Sequence, residues 1–333
     1  MKLLLSILMA GSPTMALAGT VVSQKVSYSG KSGPAEEKFL WHIGDSGFRL
    51  DTSRGNESRS FVFNGRVFYA CGKLDKPQLE FIKKLNIKDQ TLMKSLETGV
   101  CQELSADFSL RFLLSPYEAV GNVDMVAGLG STLSITDSVS DLSGSVGQVG
   151  STKCVNFKRT YKLTDRSQPK YARTVSETPC NAPTIKWRQS FSRQIGMSLI
   201  RSPGGQPTFQ ALNTDVKTVA GFSLTTEGQV QGTNADGLAL SSGFSVTASD
   251  VKTEDISPAA LGLPNGYQVI DAQNLAALGA TNQVDSGGKG SGSAGSDAGS
   301  LVKFLILGGN PAAALGSGVA GALRDDGKKK KDK

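Results

Sequence analysis

Arg59-Ser-Phe-Val-Phe-Asn-Gly-Arg-Val-Phe-Tyr-Ala-Cys71 consists of two short apolar runs separated by Asn64-Gly65. That residue pair tolerates the positive φ angles of a two-residue type I′ turn, so the stretch reads as a β-hairpin. A turn there sets Phe63 opposite Arg66, Val62 opposite Val67, Phe61 opposite Phe68 and Ser60 opposite Tyr69. Successive strand side chains point to opposite faces. One face then carries Phe61, Phe63 and Phe68, the other Val62, Val67 and Tyr69. Both faces are apolar and both require cover. The hairpin is predicted to lie in the middle of a curved sheet with material packed on each side.

Upstream, Val21 to Tyr28 reads as a strand. Glu37 to Ile43 alternates, with Phe39, Trp41 and Ile43 on one face and Lys38, Leu40 and His42 on the other. Gly44-Asp-Ser-Gly47 is a turn and Phe48-Arg-Leu-Asp51 its partner strand. With the hairpin this makes a meander of about five antiparallel strands. Downstream the period changes. Asp75 caps a helix with Pro77 in its first turn, and Leu79, Phe81, Ile82 and Leu85 follow at helical spacing. A second helical run, Lys88 to Leu104, carries Leu92, Met93, Leu96, Val100 and Leu104. These two helices are expected to cover one sheet face. Ala106 to Val120 is apolar enough for burial and undecided between helix and strand. Gly121 to Gly150 is small and polar, a flexible connection or weak strands. Strand signals return at Lys153 to Leu163 and Ala182 to Ser198. Thr214 to Gly232 and Leu238 to Glu254 read as two further strand pairs, with bends at Gly221 and Gly228. The expected fold class is mainly β with some α: a curved antiparallel sheet, or half-barrel, covered by helices.

The ends of the chain read differently. Lys2, the apolar run Leu3 to Ala10 and the small-residue site Ala16-Leu-Ala18 have the order of a secretory signal peptide, residues 1–18. The apolar run is too short for a bilayer span. A β-rich domain is expected over 19–275 and a Gly/Ser-rich linker over 276–300. Residues 301–333 hold an apolar segment and a basic end. Leu301 to Leu323 is interrupted by Lys303 and Asn310-Pro311. It reads as a membrane span, a surface-lying segment or a disordered tail, with the terminal lysines toward the membrane in the first two cases.

Of a formal net charge of +7, the last ten residues carry +3 and Lys2 carries +1, so the body keeps only +3. That is too dilute for a nucleic-acid partner. Four cysteines, Cys71, Cys101, Cys154 and Cys180, in an exported chain point to disulfides. Three pairings are possible. Cys71–Cys101 with Cys154–Cys180 closes two local loops of about thirty residues and is the expected set. A zinc site is the rival, but no C-x-x-C pair is present and His42 is the single histidine. No metal and no cofactor are expected. A Ser-His-Asp or Cys-His system would need His42, which occupies an ordinary strand position, so the chain is expected not to be an enzyme.

The aromatics are the informative residues. A sheet apolar on both faces can give one face to its helices and close the other on an apolar ligand. Phe39, Trp41, Phe48, Phe61, Phe63 and Phe68 are the candidate lining of such a cavity. The order Phe39-Leu-Trp-His-Ile, Gly44-Asp-Ser-Gly-Phe-Arg-Leu-Asp51, Phe61-Val-Phe-Asn-Gly-Arg-Val-Phe-Tyr69, and later Leu263-Pro-Asn-Gly-Tyr267, resembles the periplasmic lipoprotein-carrier superfamily of LolA- and LolB-like proteins over about residues 20–275. The resemblance implies a curved antiparallel sheet, lidded by helices, that holds acyl chains. The four cysteines, the Gly121–Gly150 stretch and the tail depart from that pattern. The expected function is binding of a lipid or other hydrophobic ligand in the periplasm or cell envelope, without catalysis. The alternative is a surface-anchored structural or adhesion protein whose sheet is a plain core.

Overall fold

The computed structural model describes residues 17–30, 35–65, 67–84, 90–104, 106–121, 133–165, 172–187, 220–233 and 239–270. Most of the expected signal segment, residues 188–198, the Gly/Ser-rich linker and Leu301 to Lys333 lie outside these.

The elements run β1 (Leu17–Ser29), β2 (Ala35–Ile43), β3 (Phe48–Arg54), β4 (Glu57–Phe63), β5 (Phe68–Gly72), α1 (Lys76–Lys84), α2 (Gln90–Thr98), β6 (Val100–Glu103), α3 (Ala106–Leu114), α4 (Pro116–Gly121), β7 (Leu133–Val149), β8 (Thr152–Asp165), β9 (Ala172–Ala182), β10 (Phe222–Thr233), β11 (Ala239–Ile256) and β12 (Gln268–Ile270). Among the described residues twelve strands join one sheet in the order β12-β6-β5-β4-β3-β2-β1-β11-β10-β9-β8-β7. Pairing is antiparallel throughout except between β12 and β6. The expected meander is present as β1 to β5. β7 stands four strands from β11 in that order, a separation of about 19 Å if the sheet were flat. Cα atoms of the two strands nevertheless approach within 8 Å, so the C-terminal part of the sheet curls strongly.

The central hairpin differs in register from its expectation. Phe63 faces Phe68, Val62 faces Tyr69 and Phe61 faces Ala70. The connection is the four-residue loop Asn64 to Val67, closed by Asn64 N donating to the Val67 carbonyl at 3.3 Å and Val67 N donating to Asn64 Oδ1 at 3.0 Å. Gly65 supplies the positive φ, 87°. The Asn64 side chain thus closes the loop in place of a tight backbone turn, and two phenylalanines meet directly across the strands. The slip is two residues, an even number, so Phe61, Phe63 and Phe68 stay on one face as expected.

Further expectations are corrected, and the choice left open after Gly121 falls to a strand. The second helix ends at Thr98, and Val100 to Glu103 is strand β6. Gly99, at φ 131°, breaks the helix. Cys101 then pairs directly with Cys71 on β5 and is disulfide-bonded to it. The stretch after Gly121 contains β7, a 17-residue strand at the end of the sheet order. The regions around Gly228 and Val246 are not two strand pairs but two long strands, β10 and β11, paired with each other. Gly228 is no bend: it lies inside β10, where a Cβ would strike the Phe244 ring at 2.1 Å.

The helix starts follow their local chemistry. Gln78 N donates to Asp75 Oδ1 at 2.7 Å and Asp75 N to Gln78 Oε1 at 2.9 Å, a reciprocal capping box ahead of α1. Ser115-Pro116-Tyr117-Glu118 opens α4 in a related way, with Glu118 N donating to Ser115 Oγ at 3.4 Å and Pro116 as first helical residue. The outer face of the hairpin is crossed by the segment after β11. Arg49, opposite Val62, donates from Nη1 to the Gly262 carbonyl at 3.4 Å. Farther on, the Tyr267 ring lies over Gly99, and Gln268 N donates to the Gly99 carbonyl at 3.1 Å. The Leu263-Pro-Asn-Gly-Tyr267 phrase therefore delivers β12 to the edge of β6.

Candidate functional site

All six candidate lining residues stand on the inner face of β2 to β5 and come together. Phe39, Trp41, Phe48, Phe61, Phe63 and Phe68 are each at most 3% exposed. Trp41 and Phe48 have ring centroids 6.2 Å apart, Phe48 and Phe63 5.8 Å, and Phe48 and Phe68 5.4 Å. The group forms a bowl of rings in the edge and tilted contacts that aromatic quadrupoles favour. Trp187 and Phe222 extend it, with centroids 5.2 and 5.1 Å from Trp41.

Among the described side chains, the rings that cover the bowl come from α3 and α4, while Leu79 of α1 and Met93 of α2 pack against the same core. Phe112 of α3 sits at its centre, 5.9 Å from Trp41, 5.9 Å from Phe48, 5.2 Å from Phe61 and 4.9 Å from Phe68 between centroids. Phe108 stacks on Phe61 at 6.3 Å, and Tyr117 of α4 lies 5.8 Å from Phe39. From α2, Leu96 also reaches the core.

A buried polar hub holds this cover to the sheet. Trp41 Nε1 donates to Gln24 Oε1 at 2.8 Å. Gln24 Nε2 donates to the Ser223 carbonyl at 2.8 Å and lies 3.0 Å from the Tyr117 hydroxyl. The Tyr28 hydroxyl donates to the Tyr117 carbonyl at 3.1 Å. Each polar atom is matched, as burial demands.

Sequence reasoning missed a second group. Arg111 Nη2 donates to Glu118 Oε1 at 2.6 Å and Arg111 Nε to Glu118 Oε2 at 3.2 Å, a forked pair joining α3 to α4 with both side chains at most 1% exposed. Facing it are Arg159 and Tyr161 of β8 and Arg173 and Glu177 of β9. Arg159 is opposite Glu177 in register, and its guanidinium lies 5.9 Å from the Tyr161 ring centroid. Burial, reinforced by the charge of Arg111, pushes the Arg173 guanidinium down to about 9. Burial raises the Tyr161 phenol well above its usual value. The Ser115-x-x-Glu118 spacing is the one sequence signal that could have found the start of α4. Nothing in sequence spacing announced that Arg159, Arg173 and Glu177 would meet it.

His42 lies on the outer face, opposite Arg49 in register. Burial lowers its pKa, with Arg49 acting in the same direction and Asp51 and Glu254 opposing. Asp51 accepts from Arg49 Nε at 2.9 Å and from the Ser60 hydroxyl. The cysteines form Cys71–Cys101 and Cys154–Cys180. No group of metal-binding side chains occurs among the described residues, and no described helix is long and apolar enough to cross a membrane. A cleft of about 600 Å³ crosses β1, β11, β10, β9 and β8, with Tyr28, Glu177, Gly228 and Phe244 in its wall. None of the six aromatics lines it.

Nine chains of solved structure are similar to this one, and two of them illustrate the likeness. One is a LolA superfamily protein from Nitrosomonas europaea, at 8% identity and a TM-score of 0.26, with 75% of this chain and 91% of that chain covered. The other is a domain described as an outer membrane lipoprotein-sorting protein, from Vibrio parahaemolyticus, at 8% identity and a TM-score of 0.26, with 74% and 87% covered. This chain resembles both. A TM-score of 0.26 is too loose a likeness to carry function from one protein to another. No family model matches the sequence, and no curated protein does.

Proposed function

We propose that the protein is a non-catalytic, exported carrier of the cell envelope that holds an acyl chain or similar apolar ligand inside a half-barrel. Its ligand site is the bowl of Phe39, Trp41, Phe48, Phe61, Phe63 and Phe68, and the conformation described above is the closed one. The observation that carries this reading is Phe112. A single ring from a short helical hairpin fills the centre of the bowl, touching Trp41, Phe48, Phe61 and Phe68. An alkyl chain offers the same apolar burial, at about 25 cal/mol per Å², so exchanging one for the other costs little. Neither α3 nor α4 belongs to the sheet, and displacing them unpairs no strand. The body would comprise residues 19–275 after removal of residues 1–18. The linker 276–300 would let the apolar segment Leu301 to Leu323 and the terminal lysines reach a membrane. Two disulfides suit an oxidising compartment such as the periplasm.

A structural or adhesion role is favoured by one observation, that all six aromatics are already buried by protein side chains. Titration with a neutral alkyl ligand, dodecanol, separates the two readings. Trp41 and Trp187 should report saturable binding by a shift in fluorescence. Phe112→Ala, which empties the bowl, should bind about tenfold more tightly. No response from either protein would leave the structural role standing.

A further inference from the structure

The cleft across β1, β11, β10, β9 and β8 opens on the face of the sheet opposite the aromatic bowl. In β10, Thr226, Gly228 and Val230 are buried, whereas Glu227 and Gln229 between them are exposed. Strand pairing aligns such outward positions into two rows. Ser27 faces Ser245, Ser245 faces Glu227 and Glu227 faces Thr178. Two residues along each strand, Ser29 faces Gly243, Gly243 faces Gln229 and Gln229 faces Ser176. Between the rows stand Tyr28, Phe244, Gly228 and Glu177. The Tyr28 hydroxyl bonds to α4, and Phe244 and Glu177 are at most 5% exposed, so this middle row gives the cleft its backbone. Gly243 keeps the second row open: a Cβ there would stand 2.8 Å from Ser29 Oγ. The rows lie about 7 Å apart along the strands, and five strands make a track of about 19 Å. Both rows line the cleft, whose volume is about 600 Å³.

We propose that this cleft binds an extended, uncharged polysaccharide laid across the strands between the two rows. Its chemistry is that of hydroxyls and an amide. Ser27, Ser29, Ser176, Thr178 and Ser245 each offer a group that both donates and accepts, and Gln229 adds an amide. Such groups recur from strand to strand at about 4.8 Å, and a pyranose unit of an extended glycan advances by a similar length. The exposed charges of the lining are Lys158 and Glu227, one of each sign, so the open surface carries no net charge. An anionic polymer would meet Glu227 with Lys158 alone to offset it. An alkyl chain would leave the hydroxyls unpaired. None of the six aromatics takes part, so this site stands whether or not the bowl carries a ligand.

The test is isothermal titration calorimetry of the full-length protein with chitohexaose, cellohexaose, their dimers and hexagalacturonate. At least one neutral hexamer should bind, about tenfold more tightly than its own dimer, which reaches fewer strands and makes fewer hydrogen bonds. Hexagalacturonate, of similar length but anionic, should bind more weakly than that hexamer. Gly243→Val puts a side chain into the track at a position where a β-branched residue suits the strand, and should weaken binding about tenfold. Gln229→Ala, at an exposed position, should weaken it about threefold and serves if the first variant fails to fold. Neither substitution should alter the fluorescence response to dodecanol, which reads the bowl. Absence of binding by both neutral hexamers would overturn the site. So would equal affinity for hexagalacturonate, or binding untouched by the substitutions.

Discussion

Gln24 is the residue where β1, β2, β10 and α4 meet. Its carbonyl accepts from Trp41, and its amide donates to Ser223. Replacing it with leucine keeps the volume and strands the indole N–H, while the Ser223 carbonyl keeps the Tyr117 hydroxyl as a donor at 3.1 Å. Gln24→Leu should therefore lower stability by about 1–3 kcal/mol, measured by urea unfolding. A loss below about 0.5 kcal/mol would mean that the hub does not hold the cover to the sheet. His42 supplies a pH dependence at the same scale. Its folded pKa is depressed by burial, so the unfolded chain binds the proton more readily. The group costs nothing at neutral pH and destabilises the fold as pH falls through about 6.5 and below. The drop in unfolding midpoint between neutral and mildly acidic buffer should be smaller in His42→Gln than in the unaltered protein. An equal drop would assign the acid sensitivity to other groups.

Among the elements, the join of α2, β6 and β12 is the most exacting. Gly99 combines φ 131° with a Tyr267 ring that a Cβ would meet at 2.5 Å. Gly99→Ala should cost about 1–3 kcal/mol from backbone strain alone, with β12 the first element to lose amide-exchange protection. A variant as stable as the parent would show that the join is soft. The hairpin shows how far local sequence reaches at this scale. Asn64-Gly65 located the turn and the alternation of Phe61 and Phe63 fixed the faces. Pairing was decided by the Asn64 side chain bonding to Val67, a contact that no alternation pattern encodes. Val100 to Leu104 misled for a related reason. Its apolar spacing continues that of α2, and only the φ of Gly99 and the cross-strand partner of Cys101 make it a strand. The cysteine pairing was legible because both bridges close short loops between neighbouring strands.

For the whole molecule, β1 lies between β2 and β11 and joins the N-terminal meander to the C-terminal strands in one sheet. Sequence order cannot announce a pairing between strands more than two hundred positions apart. The charged half of the inner face was hidden for the same reason: Arg111, Arg159 and Arg173 come from separate stretches, and each alone looks like a solvated surface residue. The six aromatics were legible because they crowd into one meander. Whether they take up an apolar ligand depends on whether α3 and α4 leave the bowl, and that is the central claim of the carrier account. It is tested most directly by purifying the protein without detergent from the envelope of the cell that makes it, then measuring acyl-containing species in an organic extract by mass spectrometry. The account predicts a defined acyl species in stoichiometric amount, retained at least as well by Phe112→Ala. Extracts of both proteins with no more acyl material than an unrelated exported protein would contradict it.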